Sequence, residues 1–385
     1  MRRTLLICAF IASFALVASA AVSAAPVTPI YNNIPSPLPG NLPSWGFEAT
    51  GTQEFGDRVG FTTTARRLVS VTQTMSSWAC QLGHWYSGDC VTTPGATFTH
   101  SVTMNLYNVA AGNAPGTLIG TKTQTFVMPY RPSTDPINCT GGRWFDGSTC
   151  FNGKAFTITF DFSAQNLNLP NQVIFGVAYN TTHYGYSPMG ETTACFMAPP
   201  TTGGCPYDSL NVALADPATT LTAGTQPAPN DAYQDTKYSS CTNGAIHPFG
   251  LDAGCWTGFK PATEFIALQC HQADGDGDFG DKDGHKHHAK FHHDSCGTGG
   301  GDVEDDDSDT GKHFQSTSTD SATYSSSADS ETVTMVGTGL DDGVPVGFTM
   351  VAVDYHGLTP AIYTLTLTDG RTFTGALLSG TVLLQ

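Results

Sequence analysis

Carboxylates and imidazoles crowd one stretch of this chain, and aromatic rings crowd four others. Asp274, Asp276, Asp278, Asp281 and Asp283 are interleaved with Gly275, Gly277, Gly280 and Gly284. Calcium takes six to eight hard oxygens, and glycine lets a tight loop turn several carboxylates inward. The segment therefore reads as a calcium loop or, with no ion, as a solvated acidic linker. It departs from the EF-hand pattern. The sixth position from Asp274 is Phe279 rather than glycine, and the twelfth is His285 rather than glutamate.

A histidine tract follows: His285, His287, His288, His292 and His293, with His271 nearby. Imidazole suits zinc, copper or nickel. On a strand, His288 and His292 share one side with Lys290, while His287 and His293 share the other with Ala289 and Phe291. Same-face positions two residues apart are about 7 Å apart on a strand. These histidines are spaced more widely, so a closed site would need a ligand from a neighbouring strand. The competing reading is a polar strand face.

The aromatic clusters offer a different chemistry. Trp85-Tyr86 lies between Cys80 and Cys90, Trp144-Phe145 between Cys139 and Cys150, and Phe196-Met197 between Cys195 and Cys205. His183-Tyr184-Gly185-Tyr186 forms a fourth group. Flat rings beside Asn, Asp and Thr suit stacking on a sugar face while polar groups bond its hydroxyls. The competing reading is that the rings cap the core, because Trp and Tyr are highly buried on average. His183 with Asp208 would make an oriented general base. Asp135, Asp146, Asp252 and Glu264 are further carboxylates for a glycosidase-type pair, though no spacing pairs them. GxSxG, HExxH, P-loop and dinucleotide fingerprints are absent from the sequence.

The elements that hold these residues are β-strands and cystine loops. Residues 1–24 read as a signal peptide, with a basic start at Arg2-Arg3, a short apolar core and a cleavage site near Ala24. The apolar run is shorter than the roughly 20 residues needed to span a bilayer. The expected product is secreted and extracellular, with no membrane span. Ten cysteines remain and form five close neighbours: Cys80/Cys90, Cys139/Cys150, Cys195/Cys205, Cys241/Cys255 and Cys270/Cys296. In an exported chain this reads as a disulfide framework. The net charge of −17 disfavours nucleic acid, which needs a basic surface.

Alternation with a period of two dominates. Phe98, His100, Val102, Met104 and Leu106 lie on one side of a strand, and Phe156, Ile158, Phe160 and Phe162 repeat the pattern, as do Val173, Phe175, Val177 and Tyr179. The expected fold is all-β: an antiparallel, jelly-roll-like β-sandwich followed by a smaller β-rich module. The boundaries are an exposed lead-in over 25–45 and a disulfide-stapled sandwich over 46–269. An Asp/His-rich connector with the first strand of the second module covers 270–313, and the C-terminal β-module covers 314–385.

In that last segment Gly337-Thr338-Gly339, Asp342-Gly343, Val346-Gly347-Phe348, Asp354, Tyr363 to Gly370 and Leu378-Ser379-Gly380 carry a resemblance. They resemble the post-COAP-1 module, which is associated with choice-of-anchor regions in secreted bacterial proteins. Glu54-Phe55-Gly56-Asp57, Met75 to Cys80, Ala178 to Tyr186 and Leu251 to Trp256 are similar to uncharacterised secreted bacterial β-sandwiches. The resemblance implies an envelope or extracellular location and a β fold, and assigns no activity. The sequence thus points to an extracellular or surface-associated binding protein. A glycan or another cell-envelope component is the partner class, and calcium is the one cofactor suggested. A polysaccharide-active hydrolase or lyase and a purely structural envelope component are the alternatives.

Overall fold

Why the alternating segments become two layers follows from burial. The computed structural model describes residues 27–190, 205–296 and 300–384. The expected signal peptide and Cys195 lie outside them. The chain forms two compact units, Pro26–Cys270 and His271–Gln385.

In the first unit, eight strands build two face-to-face antiparallel sheets. In one, Val27–Asn32 pairs with Thr263–Leu268, which pairs with Arg67–Ser77, which pairs with Lys154–Asp161. In the other, Thr52–Gly60 pairs with Gln172–Ala178, which pairs with Thr97–Val109, which pairs with Pro115–Pro129. Numbered along the chain, these orders run first, eighth, third, sixth and second, seventh, fourth, fifth. This is the double Greek key of a jelly roll. Strand Thr97–Val109 buries Phe98, His100, Val102, Met104 and Leu106 while Thr97, Thr99 and Ser101 face solvent. The packed interior also holds Phe55, Val71, Phe160, Phe175 and Phe265. Between the seventh and eighth strands the chain inserts Leu210–Ala215, Ala232–Thr236, Ile246–Asp252 and Lys260–Pro261, which extend the sheets.

Residues 27–45, within the segment read as an exposed lead-in over 25–45, are not one. Strand Val27–Asn32 is a jelly-roll strand, and Ile30 and Tyr31 are fully buried. Its Pro and Asn content masked a short strand whose apolar residues reach the core.

The second unit is a closed antiparallel barrel of eight strands: Gln272–Gly280, Lys286–Asp294, Asp302–Asp307, His313–Ser326, Glu331–Asp341, Val344–Asp354, Ile362–Leu367 and Thr372–Leu384. The last pairs with the first and closes it, which removes exposed edges. Phe279, Phe291, Phe348, Met350 and Tyr363 fill the interior. The residues read as a connector over 270–313 supply three of these strands. Asp342 and Gly343 both have positive φ, as a tight hairpin turn requires.

The Asp-Gly segment is a strand for most of its length, not a calcium loop. Residues 272–280 pair antiparallel with Lys286–Asp294 and, with a register shift at Asp278/Phe279, with Thr372–Leu384. Period two turns Asp274, Asp276 and Asp278 outward and Gly275 and Gly277 inward, so the carboxylates line up rather than converge. Asp281 begins the hairpin turn instead, where it accepts the backbone N–H groups of Asp283 and His285 and faces the His285 ring at 2.9 Å.

Three of the expected disulfides are formed, Cys80–Cys90, Cys139–Cys150 and Cys241–Cys255. Cys205, Cys270 and Cys296 are disulfide-bonded as well. No helix among the described residues is long and apolar enough to cross a membrane.

Candidate functional site

A cleft of about 260 Å³ in the sandwich unit gathers residues from four separate segments. The short helix Phe47–Thr50 brings Glu48. The residue after strand Arg67–Ser77 is Trp78. The Cys80–Cys90 loop brings His84, Trp85 and Tyr86. The 3-10 turn Pro206–Ser209 brings Asp208.

The cystine loop is locally determined. The bridge ties its ends, and Leu82 and Val91 exchange backbone hydrogen bonds of 2.9 and 3.0 Å. Gly83 has a φ of +74°, and a Cβ there would stand 2.3 Å from the Asp89 carbonyl oxygen, so only glycine fits. The Asp89 carboxylate then accepts the His84 N–H at 2.9 Å and the Ser87 hydroxyl at 2.8 Å. The Trp85 ring meets the Trp78 ring edge-on, centroids 4.6 Å apart, and Tyr86 stands perpendicular to Trp85 at 5.7 Å. Tyr86 is 61% exposed, so its ring is displayed rather than packed. His84 Nε2 is buried and has no hydrogen-bond partner.

The acidic side is equally ordered. Asp208 accepts the Thr182 backbone N–H at 2.8 Å and the Thr182 hydroxyl at 2.5 Å. Burial pushes its carboxyl up to about 6. The Thr182 bonds oppose that rise, the negative charge of Glu48 adds to it, and His183 works against it. His183 Nδ1 is bonded to Glu48, not to Asp208. The expected His183–Asp208 pair is thus replaced by a His183–Glu48 pair with Asp208 alongside. Chemically the cleft offers stacking rings and two carboxylates in different environments.

The remaining sequence candidates disperse. Trp144 is 5% exposed, donates its indole N–H to the Gly153 carbonyl at 2.6 Å and packs against Phe151, away from the cleft. Phe145 lines a separate groove with Trp144, Tyr130 and Ile137. Phe196 and Met197 lie outside the described residues. Tyr184 faces a shallow pocket with Asp235 and His247. Tyr186 donates its hydroxyl to Glu54 at 2.6 Å, and Asn105 and Tyr107 also donate to that carboxylate. Burial raises the Glu54 pKa, those three bonds oppose the rise, and Asp235, directly opposite on the neighbouring strand, adds to it. Glu54 is fully buried, and Asp235 is nearly so at the wall of the pocket that Tyr184 faces. Asp135 and Asp146 cap turns, Asp252 accepts the Ser239 hydroxyl at 2.8 Å in the interior, and Glu264 accepts from Asn32.

On the barrel, His288 faces Asp278 at 2.9 Å and Asp276 at 3.4 Å, and His292 faces Asp274 at 2.5 Å. Asp283 sits in the turn. These histidines and acids form cross-strand pairs rather than one coordination sphere. Among the described residues, the only His, Cys, Asp or Glu ligand atoms gathered tightly enough for one ion belong to Cys241, Asp252 and Cys255, and the two sulfurs are joined in a disulfide.

Sequence reasoning missed Glu48, Trp78 and His84. Trp78 and His84 flank or sit within the cystine loop, and that proximity was the available signal. Glu48 carried none, because nothing local relates it to Asp208. Comparison with protein-family profiles, with curated proteins and with solved structures finds no match for this chain.

Proposed function

We propose that this is an exported binding protein whose sandwich cleft takes a carbohydrate. The observation that carries the reading is the meeting of Trp78, Trp85, Tyr86, Glu48 and Asp208 at one concavity. Rings provide stacking faces and carboxylates accept hydroxyl hydrogen bonds, the mix of apolar wall and few polar groups typical of small-molecule sites. Export is supported by the disulfides, which persist in oxidising compartments. Cell-envelope polysaccharide is the partner class, in line with the post-COAP-1 resemblance of the C-terminal residues.

The test is a glycan array with a polysaccharide pull-down, with and without calcium. Binding that Trp85→Ala abolishes and Phe145→Ala leaves intact is the expected result. Blank arrays and pull-downs sink the reading.

One observation favours a hydrolase as the second reading. Asp208, raised to about 6, is suited to donate a proton, while Glu48 beside it is engaged by His183. Release of reducing ends from a bound polysaccharide, lost in Asp208→Asn while binding persists, would establish it. Binding with no turnover would leave the binding reading alone.

A further inference from the structure

We propose that the sugar taken by the sandwich cleft carries a free, protonated amino group: the ligand is an amino sugar without its acetyl cap. This rests on the carbohydrate reading of the same cleft and narrows it.

The first argument is charge. Glu48 and Asp208 both line the cleft, and among the described lining residues there is no lysine or arginine. Burial is the main cause of the raised Asp208 carboxyl; the Thr182 bonds oppose it, and the charge of Glu48 then adds to it. The two acids therefore repel each other. His183, bonded to Glu48, offsets part of that repulsion but does not line the cleft. Asp208 accepts one hydrogen bond at each oxygen, both from Thr182. A carboxylate has about four lone-pair sites, so it retains room for a further donor. An ammonium group brings a donor and the opposite charge together. A hydroxyl or an acetamide brings a donor alone.

The rings agree with that choice. Trp78 and Trp85 meet at 89°, and Trp85 and Tyr86 at 90°. Neighbouring rings at right angles form a corner rather than one flat platform. A corner suits a compact cation, which is drawn to a ring face without needing a matching flat surface. The exposed Tyr86 ring is left for the body of the sugar.

The size of the ligand follows from His84. Its Nε2 is buried at the same wall and has no hydrogen-bond partner. Buried polar atoms are rarely left unpaired. The ligand atoms of Glu48, Asp208 and His84 are not gathered tightly enough for one ion. A bare cation cannot serve all three groups, whereas an amino sugar spans them, with its amine at the acids and a hydroxyl at the imidazole.

The test is calorimetric titration of the full-length protein, at physiological salt, with β-1,4-linked oligosaccharides that differ only at C2. Glucosamine units carry the amine, N-acetylglucosamine units the acetamide and glucose units the hydroxyl. The amine form should bind about tenfold or more tighter than the hydroxyl form, since a charge-assisted bond and a cation–ring contact are added. Trp85→Ala should abolish that binding, and Glu48→Gln with Asp208→Asn should bring the amine form down to the hydroxyl form. Asp276→Asn, on the outside of the barrel, should leave the preference unchanged. A preference that survives the double variant, or that shrinks in Asp276→Asn, marks general attraction to an acidic protein and overturns the proposal. Equal or tighter binding of an uncharged form, lost in Trp85→Ala, overturns the amine and keeps the carbohydrate reading. Binding of none of the forms also overturns the amine, and the glycan array then decides the carbohydrate reading by itself. If the double variant does not fold, the wild type decides: nuclear Overhauser contacts from the C2 proton of the amine form to the Trp85 and Tyr86 rings support the site, and contacts from the opposite edge of the sugar alone reject it.

Discussion

Gly275 lies directly opposite Phe291 on adjacent barrel strands, and the Phe291 ring occupies the space that a side chain at 275 would need. A Cβ there would stand 2.2 Å from the ring. The Asp-Gly alternation is therefore a packing pattern: acids outside, room for an aromatic inside.

Gly275→Val should overpack the barrel and cost about 1–3 kcal/mol, the usual penalty for added bulk in a filled core. Urea unfolding measures it, and Phe291→Leu in the same chain should recover part of the loss. Unchanged stability in Gly275→Val would show that the interior has slack there.

Asp208 should titrate near pH 6 in carboxyl-carbon NMR. Glu48 raises that value, so Glu48→Gln should lower the midpoint. His183 lowers it, so His183→Ala should raise it. The linkage has a definite sign. A carboxyl whose folded pKa exceeds its unfolded value of about 3.9 is a cost to the fold when ionised, so stability falls as pH rises from about 4 to 6. Partial exposure and solvent screening limit that effect to about 1 kcal/mol. A midpoint in the ordinary range would remove the case for an acid at this site.

Lys260 and Asp57 form a buried ion pair at 3.2 Å, and Lys260 also donates to the carbonyls of Ala228 and Asp231. Burial raises Asp57 to about 6 even though Lys260 opposes it. Lys260→Met leaves a buried charge uncompensated and should cost about 3–5 kcal/mol above neutral pH. In that variant the Asp57 pKa climbs further, so the deficit should shrink as pH falls and the acid becomes neutral. Denaturant midpoints of both proteins across pH are the measurement; a deficit that grows toward low pH contradicts the assignment.

His292 is bonded to Asp274, and that bond raises its pKa, burial opposing and the charges of Asp274 and Asp302 adding. A raised histidine contributes stability that is fully present below its unfolded pKa of about 6.5 and lost as pH rises through the folded value. The wild type should therefore exceed His292→Gln in Tm under mildly acidic conditions, with the gap closing in alkali. Comparing against this variant matters because half-buried His293 is shifted down and acts in the opposite direction. A gap independent of pH would assign His292 a packing role only.

The two faces of strand Lys286–Asp294 were legible in the sequence. His288 and His292 emerge on the outer side with Lys290, and Ala289 and Phe291 on the inner, as the alternation requires. The sandwich followed from the same periodicity in Thr97–Val109 and Gln172–Ala178. The calcium-loop reading failed because alternating Asp and Gly is common to a liganding loop and to a barrel strand with a crowded interior. Trp144 and Trp85 occupied equivalent places between paired cysteines, yet one is buried against Gly153 and the other faces the cleft.

The chain's own order of residues determines period two, the hairpin turns at Asp342-Gly343 and Asp369-Gly370, and the short cystine loops. These rest on peptide geometry acting over a few residues. Tertiary structure alone decides that Glu48, Trp85 and Asp208 meet and that strand Thr372–Leu384 closes on Gln272–Gly280. Those relations depend on which strands pair across a hundred residues or more, and sheet pairing is set by the burial of the whole core rather than by any local pattern.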